Sequence, residues 1–247
     1  MRTIKLTLAY DGTAYAGWQW QLNGPSIQAA VETAISTITR QTVRVAASGR
    51  TDAGVHALAQ VASVELETNL TPDALHRALN AELPCDIVVL NVVEAPDRFH
   101  ATRDAIRKRY RYVIHDGALP DIFRRHYAWH RRGRLDAAAM HEAAQAWVGK
   151  HDFVAFESAG SVRVDTVRTV FEASVMRSEN APDVVEFEVE ADGFLYNMVR
   201  TMAGTLVEIG RGKAPASWAT DVLASRDRRV AGMKAPACGL FLVSVQY

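Results

Sequence analysis

The spacing of apolar and polar positions predicts a regular alternation of strands and helices in the first half of the chain. Apolar positions 4, 6 and 8 alternate with polar ones, as in a half-buried strand. Further along, apolar residues recur at helical spacing and then at strand spacing. The predicted elements are a strand around 4–8, a helix at 27–40 capped by Ser26, strands near 43–48 and 58–67, a helix starting at Thr71-Pro72, and a strand at 86–94.

The second half repeats this order without visible sequence repetition. Its predicted elements are strands at 109–115, 167–177, 184–192 and 240–246, helices at 136–148 and 194–209, and an extra helix at 215–225. The pattern predicts an α+β fold of two βαββαβ halves, ferredoxin-like or RRM-like, with antiparallel sheets. We expect the halves to cover 1–104 and 105–247 and to join around a central basic cleft.

Charge is unevenly distributed although the 247-residue chain has no net formal charge, with 28 basic and 28 acidic residues. Residues 98–134 carry ten arginines and one lysine against three aspartates, a local excess of +8. Aromatic residues are interleaved with these arginines, a combination that suits phosphate contacts and base stacking. A solvated charged face is the alternative reading of this segment.

Composition excludes several classes of protein. No apolar stretch reaches the length of a membrane span, and positions 1–5 do not resemble a signal peptide, so a cytoplasmic location is expected. Cys85 and Cys238 are the two cysteines and are far apart, which predicts neither a disulfide framework nor a thiolate zinc site. His141-Glu142 lacks the second histidine of a zinc-protease motif, so no metal is expected.

The most unusual local sequence is 48–57, Ser-Gly-Arg-Thr-Asp-Ala-Gly-Val-His-Ala, between two predicted strands. Two glycines flank Arg50-Thr51-Asp52 and allow the backbone to approach a ligand closely. An aspartate next to an arginine keeps a low pKa and is nucleophilic at neutral pH. The competing interpretation is a surface turn in which Asp52 bonds its own backbone and pairs with Arg50.

Two further positions are candidates for ligand contacts. Arg200 lies in the predicted 194–209 helix, sharing one face with Tyr196 and Gly204, and needs either a carboxylate or phosphate partner or solvent. Tyr110 and Tyr112 alternate with arginines on a predicted strand, so one face is aromatic and the other is charged. The aromatic face could stack on a base or simply pack within the sheet.

With these segments assembled, the chain resembles the tRNA pseudouridine synthase A family nearly from end to end. The matching blocks are Tyr10-Asp11-Gly12-Thr13, Gly17-Trp18-Gln19, residues 49–57, Tyr110-Arg111-Tyr112, His151-Asp152-Phe153, residues 194–200 and Ala237-Cys238-Gly239-Leu240. The block Gly-Arg-Thr-Asp-Ala-Gly-Val-His, from position 49 to 56, is the most specific of them.

The resemblance implies both an activity and a set of site residues. It implies isomerisation of uridine to pseudouridine at positions 38, 39 and 40 of the tRNA anticodon arm, by a homodimer that needs no cofactor. Asp52 would be the nucleophile, Tyr110 would pack on the uracil, Arg200 would pair with Asp52, and Arg50 would hold or displace the flipped nucleotide. The motif also makes Thr51 and His56 candidate substrate contacts.

Two other functions remain open from sequence alone. A non-catalytic protein that binds structured RNA would account for the basic aromatic stretch and the paired βαββαβ halves, but it gains nothing from Asp52. A phosphatase with an aspartate nucleophile would need a divalent metal and a second carboxylate, and Asp52 has no acidic neighbour in sequence.

Overall fold

The structure, a computed structural model, describes residues 1–22, 24–160 and 165–247. The chain divides into an N-terminal unit, Met1–Ile106 together with Phe241–Tyr247, and a C-terminal unit, Arg107–Leu240. The last seven residues therefore lie in the N-terminal unit, whereas the sequence pattern assigned them to the second half.

The N-terminal unit has the predicted βαββαβ order. Its elements are β1 (Arg2–Tyr10), α1 (Ile27–Thr39), β2 (Ala46–Ala47), β3 (His56–Leu66), α2 (Pro72–Glu82) and β4 (Ile87–Glu94). β1 pairs antiparallel with β3 on one side and with β4 on the other, and the short β2 pairs antiparallel with β3. Ile4, Leu6 and Leu8 are fully buried, as their alternation predicted.

The predicted helix caps of this unit are confirmed. The Ser26 side chain accepts a hydrogen bond from the Ala29 N–H at 3.3 Å, and Thr71 accepts one from Ala74 at 3.2 Å. Each cap satisfies one of the backbone donors that the first turn of a helix leaves without an intrahelical partner. The two helices therefore begin where their sequence signals predict.

The C-terminal unit is also α+β, with helices added to a mostly antiparallel sheet. Its elements are β5 (Arg107–His115), β6 (Trp129–His130), α3 (Ala137–Gln145), β7 (Gly149–Asp152), β8 (Val167–Arg177), β9 (Val184–Ala191), α4 (Met198–Gly210) and α5 (Trp218–Ser225). The strand order is β5-β9-β8-β7, and β6 pairs in parallel with β5. The α+β fold class is confirmed.

The last strand of the chain is β10 (Leu240–Gln246). Within the N-terminal unit, Phe241 and Leu242 pair in parallel with His56 and Ala57 of β3. No periodicity in the sequence indicates this pairing partner, because an apolar strand at the end of a chain can pair with any exposed strand edge. The strand itself was predicted at the observed place.

Three features of the C-terminal unit differ from the predicted elements. The strands β6 and β7 were not predicted, because they span two and four residues and are too short to show a period. The helix predicted from position 194 begins at Met198. Asn197 precedes the helix with a left-handed backbone, φ of 62°, and this conformation prevents the helix from starting earlier.

The late start of α4 changes the predicted helix face. Tyr196 lies before the helix and is 48% exposed, so the prediction that it shares a helical face with Arg200 and Gly204 is wrong. The apolar residues at 194 and 195 extend the helical pattern in sequence, which explains the error. None of the helices in the described part of the chain is long and apolar enough to cross a membrane.

Candidate active site

Asp52 lies in the loop between β2 and β3 and is half-buried. The loop is held by backbone contacts on both sides of the aspartate: the Trp18 N–H donates to the Thr51 carbonyl at 3.0 Å, and the Val55 N–H donates to the Asp52 carbonyl at 3.1 Å. Gly17 and Asp52 also form an isolated antiparallel bridge. The carboxylate therefore extends from a fixed backbone rather than from a free surface turn.

The segment at Gly17 and Trp18 connects this loop to the first helix. The Gly17 carbonyl accepts from the Ile27 N–H and the Trp18 carbonyl from the Gln28 N–H, which are the first two residues of α1. Gly17 has a φ of +104°, and a Cβ at this position would lie 2.6 Å from the Thr51 carbonyl oxygen. Only glycine allows the two backbones to approach this closely.

A buried network of neutral polar groups supports the loop from the interior of the N-terminal unit. The Tyr10 hydroxyl and Thr51 Oγ1 lie 2.8 Å apart, and Gln60 Nε2 donates to the Tyr10 hydroxyl at 3.3 Å and to the Gly49 carbonyl at 2.9 Å. Ser48 donates to Gln60 Oε1 at 2.7 Å. Gln60 and Ser48 are fully buried. Each member of the network has a hydrogen-bond partner, as buried polar groups require.

Sequence reasoning did not select Tyr10, Gln60 or Ser48 as site residues. A signal was present for Gln60, because it is a polar residue among apolar neighbours in a strand that is buried on both faces. Burial raises the pKa of Tyr10 to about 12 against the opposing effect of its hydrogen bonds to Thr51 and Gln60. The phenol therefore stays protonated at neutral pH and can hold the loop as a neutral partner.

Replacing Tyr10 with Phe is expected to lower the free energy of unfolding by about 1 to 2 kcal/mol, because Thr51 and Gln60 each lose a buried partner. The loop that carries Asp52 is expected to loosen at the same time, which lowers kcat. Urea denaturation and steady-state kinetics measure both effects. Tyr196→Phe is the matched control because that tyrosine is 48% exposed; equal stability losses in the two variants would contradict the proposed support.

The other predicted residues of this motif lie at different depths. Arg50 is exposed beside Asp52, whereas Thr51 and His56 are 6% and 1% exposed. The His56 ring stacks on Phe241 with centroids 4.7 Å apart. Both side chains hold the loop from inside the unit, and their contact with substrate stays a prediction.

His56 also fixes the turn at Asp11 and Gly12. Its Nδ1 lies 3.1 Å from the Gly12 N–H and 3.1 Å from Asp11 Oδ1, but one ring nitrogen cannot accept from the first and donate to the second. We assign the bond from Gly12, because a backbone N–H is always a donor and Asp11 Oδ1 already accepts from the Thr13 N–H and hydroxyl. The imidazole thereby ties β3 to the residues that follow β1.

Tyr110 lies on β5 in the C-terminal unit and is 8% exposed. Its ring meets Phe194 edge to face, with centroids 5.0 Å apart. Such a contact fixes the plane of the phenol ring. Tyr112, two residues on, is fully buried and donates its hydroxyl proton to the Pro236 carbonyl at 2.7 Å. The predicted aromatic face of this strand is therefore present, and most of it packs inside the unit.

Arg200 lies in the first turn of α4 and is half-buried. Its Nε donates to the Ala235 carbonyl at 2.8 Å, and its Nη1 donates to Asn197 Oδ1 at 2.9 Å. The Ala235 N–H returns a bond to the Arg200 carbonyl at 3.1 Å. These contacts give the guanidinium a defined orientation, and the segment 194–197 connects it to the aromatic ring next to Tyr110.

The arginines of β5 are paired within the C-terminal unit. Arg109 contacts Glu172 at 2.6 Å, Glu190 at 3.1 Å and Glu188 at 3.3 Å; Arg107 contacts Glu190 at 3.2 Å; and Arg111 contacts Glu188 at 2.7 Å. Hydrogen bonding to Glu172 raises the pKa of Arg109 above its usual value. The local excess of positive charge in residues 98–134 therefore overstates what this segment offers to an anionic partner.

Replacing Arg109 with Met is expected to lower the free energy of unfolding by about 1 to 2 kcal/mol, because nearby glutamates lose a partner that is only one-quarter exposed. The salt dependence of RNA binding is expected to stay unchanged. Arg109 is paired with three carboxylates and therefore does not neutralise a phosphate, so it releases no counterion when RNA binds. Chemical denaturation and binding titrations at several salt concentrations check this. Arg132→Met, at an exposed position, is the control for stability.

Comparison with known protein families identifies the family of this chain. A family model described as tRNA pseudouridine synthase matches residues 7–103 and 143–247, which include the Asp52 loop and Arg200. The chain belongs to the tRNA pseudouridine synthase family. It is therefore an enzyme, an isomerase, and the alternative of a non-catalytic RNA-binding protein is not supported.

Full-length relatives of this synthase family agree with the match. Proteins named tRNA pseudouridine synthase A from Moorella thermoacetica, Acetivibrio thermocellus and Thermoanaerobacter sp. strain X514 are 47%, 44% and 41% identical, each over 100% of both chains. A solved structure described as a Cbf5-Nop10-Gar1 complex is 14% identical, covers 97% of this chain and 48% of that chain, and has a TM-score of 0.39. That likeness is too distant to bear on fold or function.

Proposed function

We propose that this enzyme converts uridine to pseudouridine in the anticodon arm of tRNA, at positions 38, 39 and 40, with Asp52 as the nucleophile. The observation that carries the proposal is the Asp52 loop, in which the backbone that bears a half-buried aspartate is held by backbone hydrogen bonds and by a buried neutral network. The names of the full-length relatives support tRNA as the substrate.

The reaction needs a nucleophile more than any other group. The N1–C1′ bond of uridine breaks, the uracil turns, and a C5–C1′ bond forms. The proton at C5 is lost and N1 gains one, so no electrons pass to or from another molecule. A carboxylate can add to C6 of the uracil, which tethers the base to the enzyme, or it can capture C1′ of the ribose, which leaves the detached uracil to be held by the site. Both routes require an ionised Asp52.

The target nucleotide has to leave its stack before it reaches Asp52, at an unstacking cost of a few kcal/mol. We propose that the exposed Arg50 takes the place of the flipped nucleotide or holds its phosphate. Tyr110 would pack on the uracil, a role supported by its ring orientation against Phe194. The pairing of Arg200 with Asp52, which the family resemblance implies, stays a prediction.

The test measures tritium released to water from tRNA labelled at uracil C5, because the C5 hydrogen is lost only when C5 becomes the glycosidic carbon. Three transcripts, each with one labelled uridine at 38, 39 or 40, test the positions separately. A chelator is present throughout to exclude a metal-dependent hydrolase. Release from these transcripts supports the proposal, and no release from any of them contradicts it.

We also propose that the enzyme acts as a homodimer, as the family resemblance implies. Sedimentation equilibrium is expected to give twice the chain mass of 27.2 kDa at assay concentrations. A monomer with full activity would contradict this.

A further inference from the structure

A small cavity in the C-terminal unit is not used by the proposed mechanism. It encloses about 150 Å³ beside β5 and β6. The residues that line it include His115, Arg124, Arg125, Trp129, His130 and Cys238. This volume is well below the roughly 300–1,000 Å³ of pockets for drug-sized ligands, so the cavity suits a single small ring system. Its walls combine aromatic rings with cationic groups.

One residue that lines this cavity carries a buried polar atom without a partner in the described part of the chain. His115 is 7% exposed, and its Nδ1 is buried without a hydrogen-bond partner among the residues that the structure describes. Buried polar groups are nearly always satisfied, so an unsatisfied one indicates a site for a ligand or water. The neighbouring His130 has its Nε2 3.0 Å from the Gly117 carbonyl, and the two imidazoles lie 5.3 Å apart between centroids.

The mouth of the cavity is cationic and is bordered by exposed apolar side chains. Arg124 and Arg125 are exposed, and Phe123, Ile122 and Leu119 are 83%, 62% and 79% exposed. Asp121 also lines the cavity; its carboxylate accepts from the N–H groups of residues 123 and 124 and lies 3.6 Å from Arg124 Nε, so it offsets part of the charge of one of the two guanidiniums. An exposed apolar cluster of this kind marks an interaction surface, and the adjacent arginines favour an anionic partner.

We infer that this cavity binds one unpaired nucleotide of an RNA, with the base between the aromatic walls and its phosphate on Arg124 and Arg125. Single-stranded RNA is held in this way, by stacking on aromatic rings and by charge on the backbone, and guanidinium forks fit phosphate oxygens. The inference rests on the proposed function only in naming tRNA as the source of the nucleotide.

A metal ion is a poorer fit for the same residues. Within the described ranges, no group of three or more His, Cys, Asp or Glu side chains is placed to hold one. Of the two imidazoles, His130 already engages a carbonyl, and two guanidiniums at the mouth would repel a cation. An anion with an aromatic body matches both the charge and the shape.

The first test uses the Asp52→Asn protein, so that tRNA binds without turnover. Arg125→Ala in that background is expected to raise the Kd for tRNA about five- to tenfold and to reduce the slope of log Kd against log salt by about one. Arg132→Ala, an exposed arginine of the same segment that does not line the cavity, is expected to change Kd less than twofold. Equal losses in the two variants would overturn the inference.

The second test does not depend on tRNA. In a Cys85→Ser background, Cys238 is the one remaining thiol, and its alkylation by iodoacetamide reports on the cavity. The reaction is run at alkaline pH, because burial raises the pKa of this thiol. Uridine 5′-monophosphate is expected to slow alkylation at least about threefold, and Arg125→Ala is expected to remove the protection.

The outcomes separate this inference from the proposed function. Protection by the mononucleotide together with absent tritium release supports the cavity and contradicts the proposed reaction. Tritium release without protection by mononucleotide or tRNA overturns the cavity alone. A Phe123→Ser variant that changes the oligomeric mass but leaves tRNA affinity unchanged would also overturn it, because the exposed cluster would then be a protein contact.

Discussion

Replacing Asp52 with Asn is expected to lower kcat for pseudouridine formation at least about 10³-fold, because an amide cannot act as the nucleophile. The Kd for tRNA is expected to stay within about twofold of the wild-type value. The amide has nearly the shape of the carboxylate, and the loop is held through backbone atoms that the substitution leaves in place. Tritium release and a binding titration measure the two quantities.

A matched variant distinguishes the loss of the nucleophile from the general effect of removing one negative charge. Asp73→Asn makes the same chemical change in the same unit, at an exposed position in the first turn of α2. It is expected to keep wild-type turnover, with a small loss of stability from the weaker interaction with the helix dipole. Turnover by Asp52→Asn within tenfold of the wild type would remove Asp52 from the proposed role.

The second large effect is expected from Gly17→Ala. Its Cβ would lie 2.6 Å from the Thr51 carbonyl oxygen and 3.0 Å from the Asp52 carbonyl carbon, both of them backbone atoms. The loop has to shift to relieve this contact, and a displacement of about 1 Å at a catalytic group costs on the order of 100-fold in rate. Strain at a positive φ adds about 1 to 3 kcal/mol of destabilisation. We expect kcat to fall about 100-fold.

Gly133 is the matched control for this substitution. It has the same φ of +104°, but a Cβ there would meet no atom within 4 Å. Gly133→Ala therefore carries the backbone strain without the steric contact, and it is expected to lower the unfolding free energy while leaving kcat within about threefold. If the two alanine variants lost the same activity, the close approach of Gly17 to the Asp52 loop would have no catalytic importance.

Local signals in the sequence predicted the parts of the fold that local interactions decide. The caps at Ser26 and Thr71 and the alternation in β1 each depend on residues a few positions apart. The pairing of β10 with β3 depends on residues nearly 190 positions apart, as for Phe241 and His56. The start of α4 was misplaced, because its decisive feature is the left-handed backbone of Asn197, which apolar periodicity does not report.

The candidate site shows the same difference between features that local sequence predicts and features that depend on distant residues. The motif around Asp52 was recognisable because its residue types are unusual and contiguous; in the structure Arg50 is exposed and Asp52 is half-buried. The supports of the loop come from β1 and β3, so the roles of Tyr10 and Gln60 became visible only with the fold. Arg109 shows the opposite error: its sequence neighbours suggested a surface for RNA, whereas its partners are glutamates on adjacent strands.

The neutrality of the network beneath the Asp52 loop has a consequence for kinetic experiments. Its side chains at Tyr10, Ser48, Thr51 and Gln60 carry no charge, and the phenol does not ionise until the pH nears about 12. Salt and moderate pH changes therefore leave this network unaltered, since its side chains carry no charge to screen and do not titrate in that range. Salt should act on KM, through RNA association, and leave kcat nearly constant. Any pH dependence of kcat near neutrality then originates outside this network.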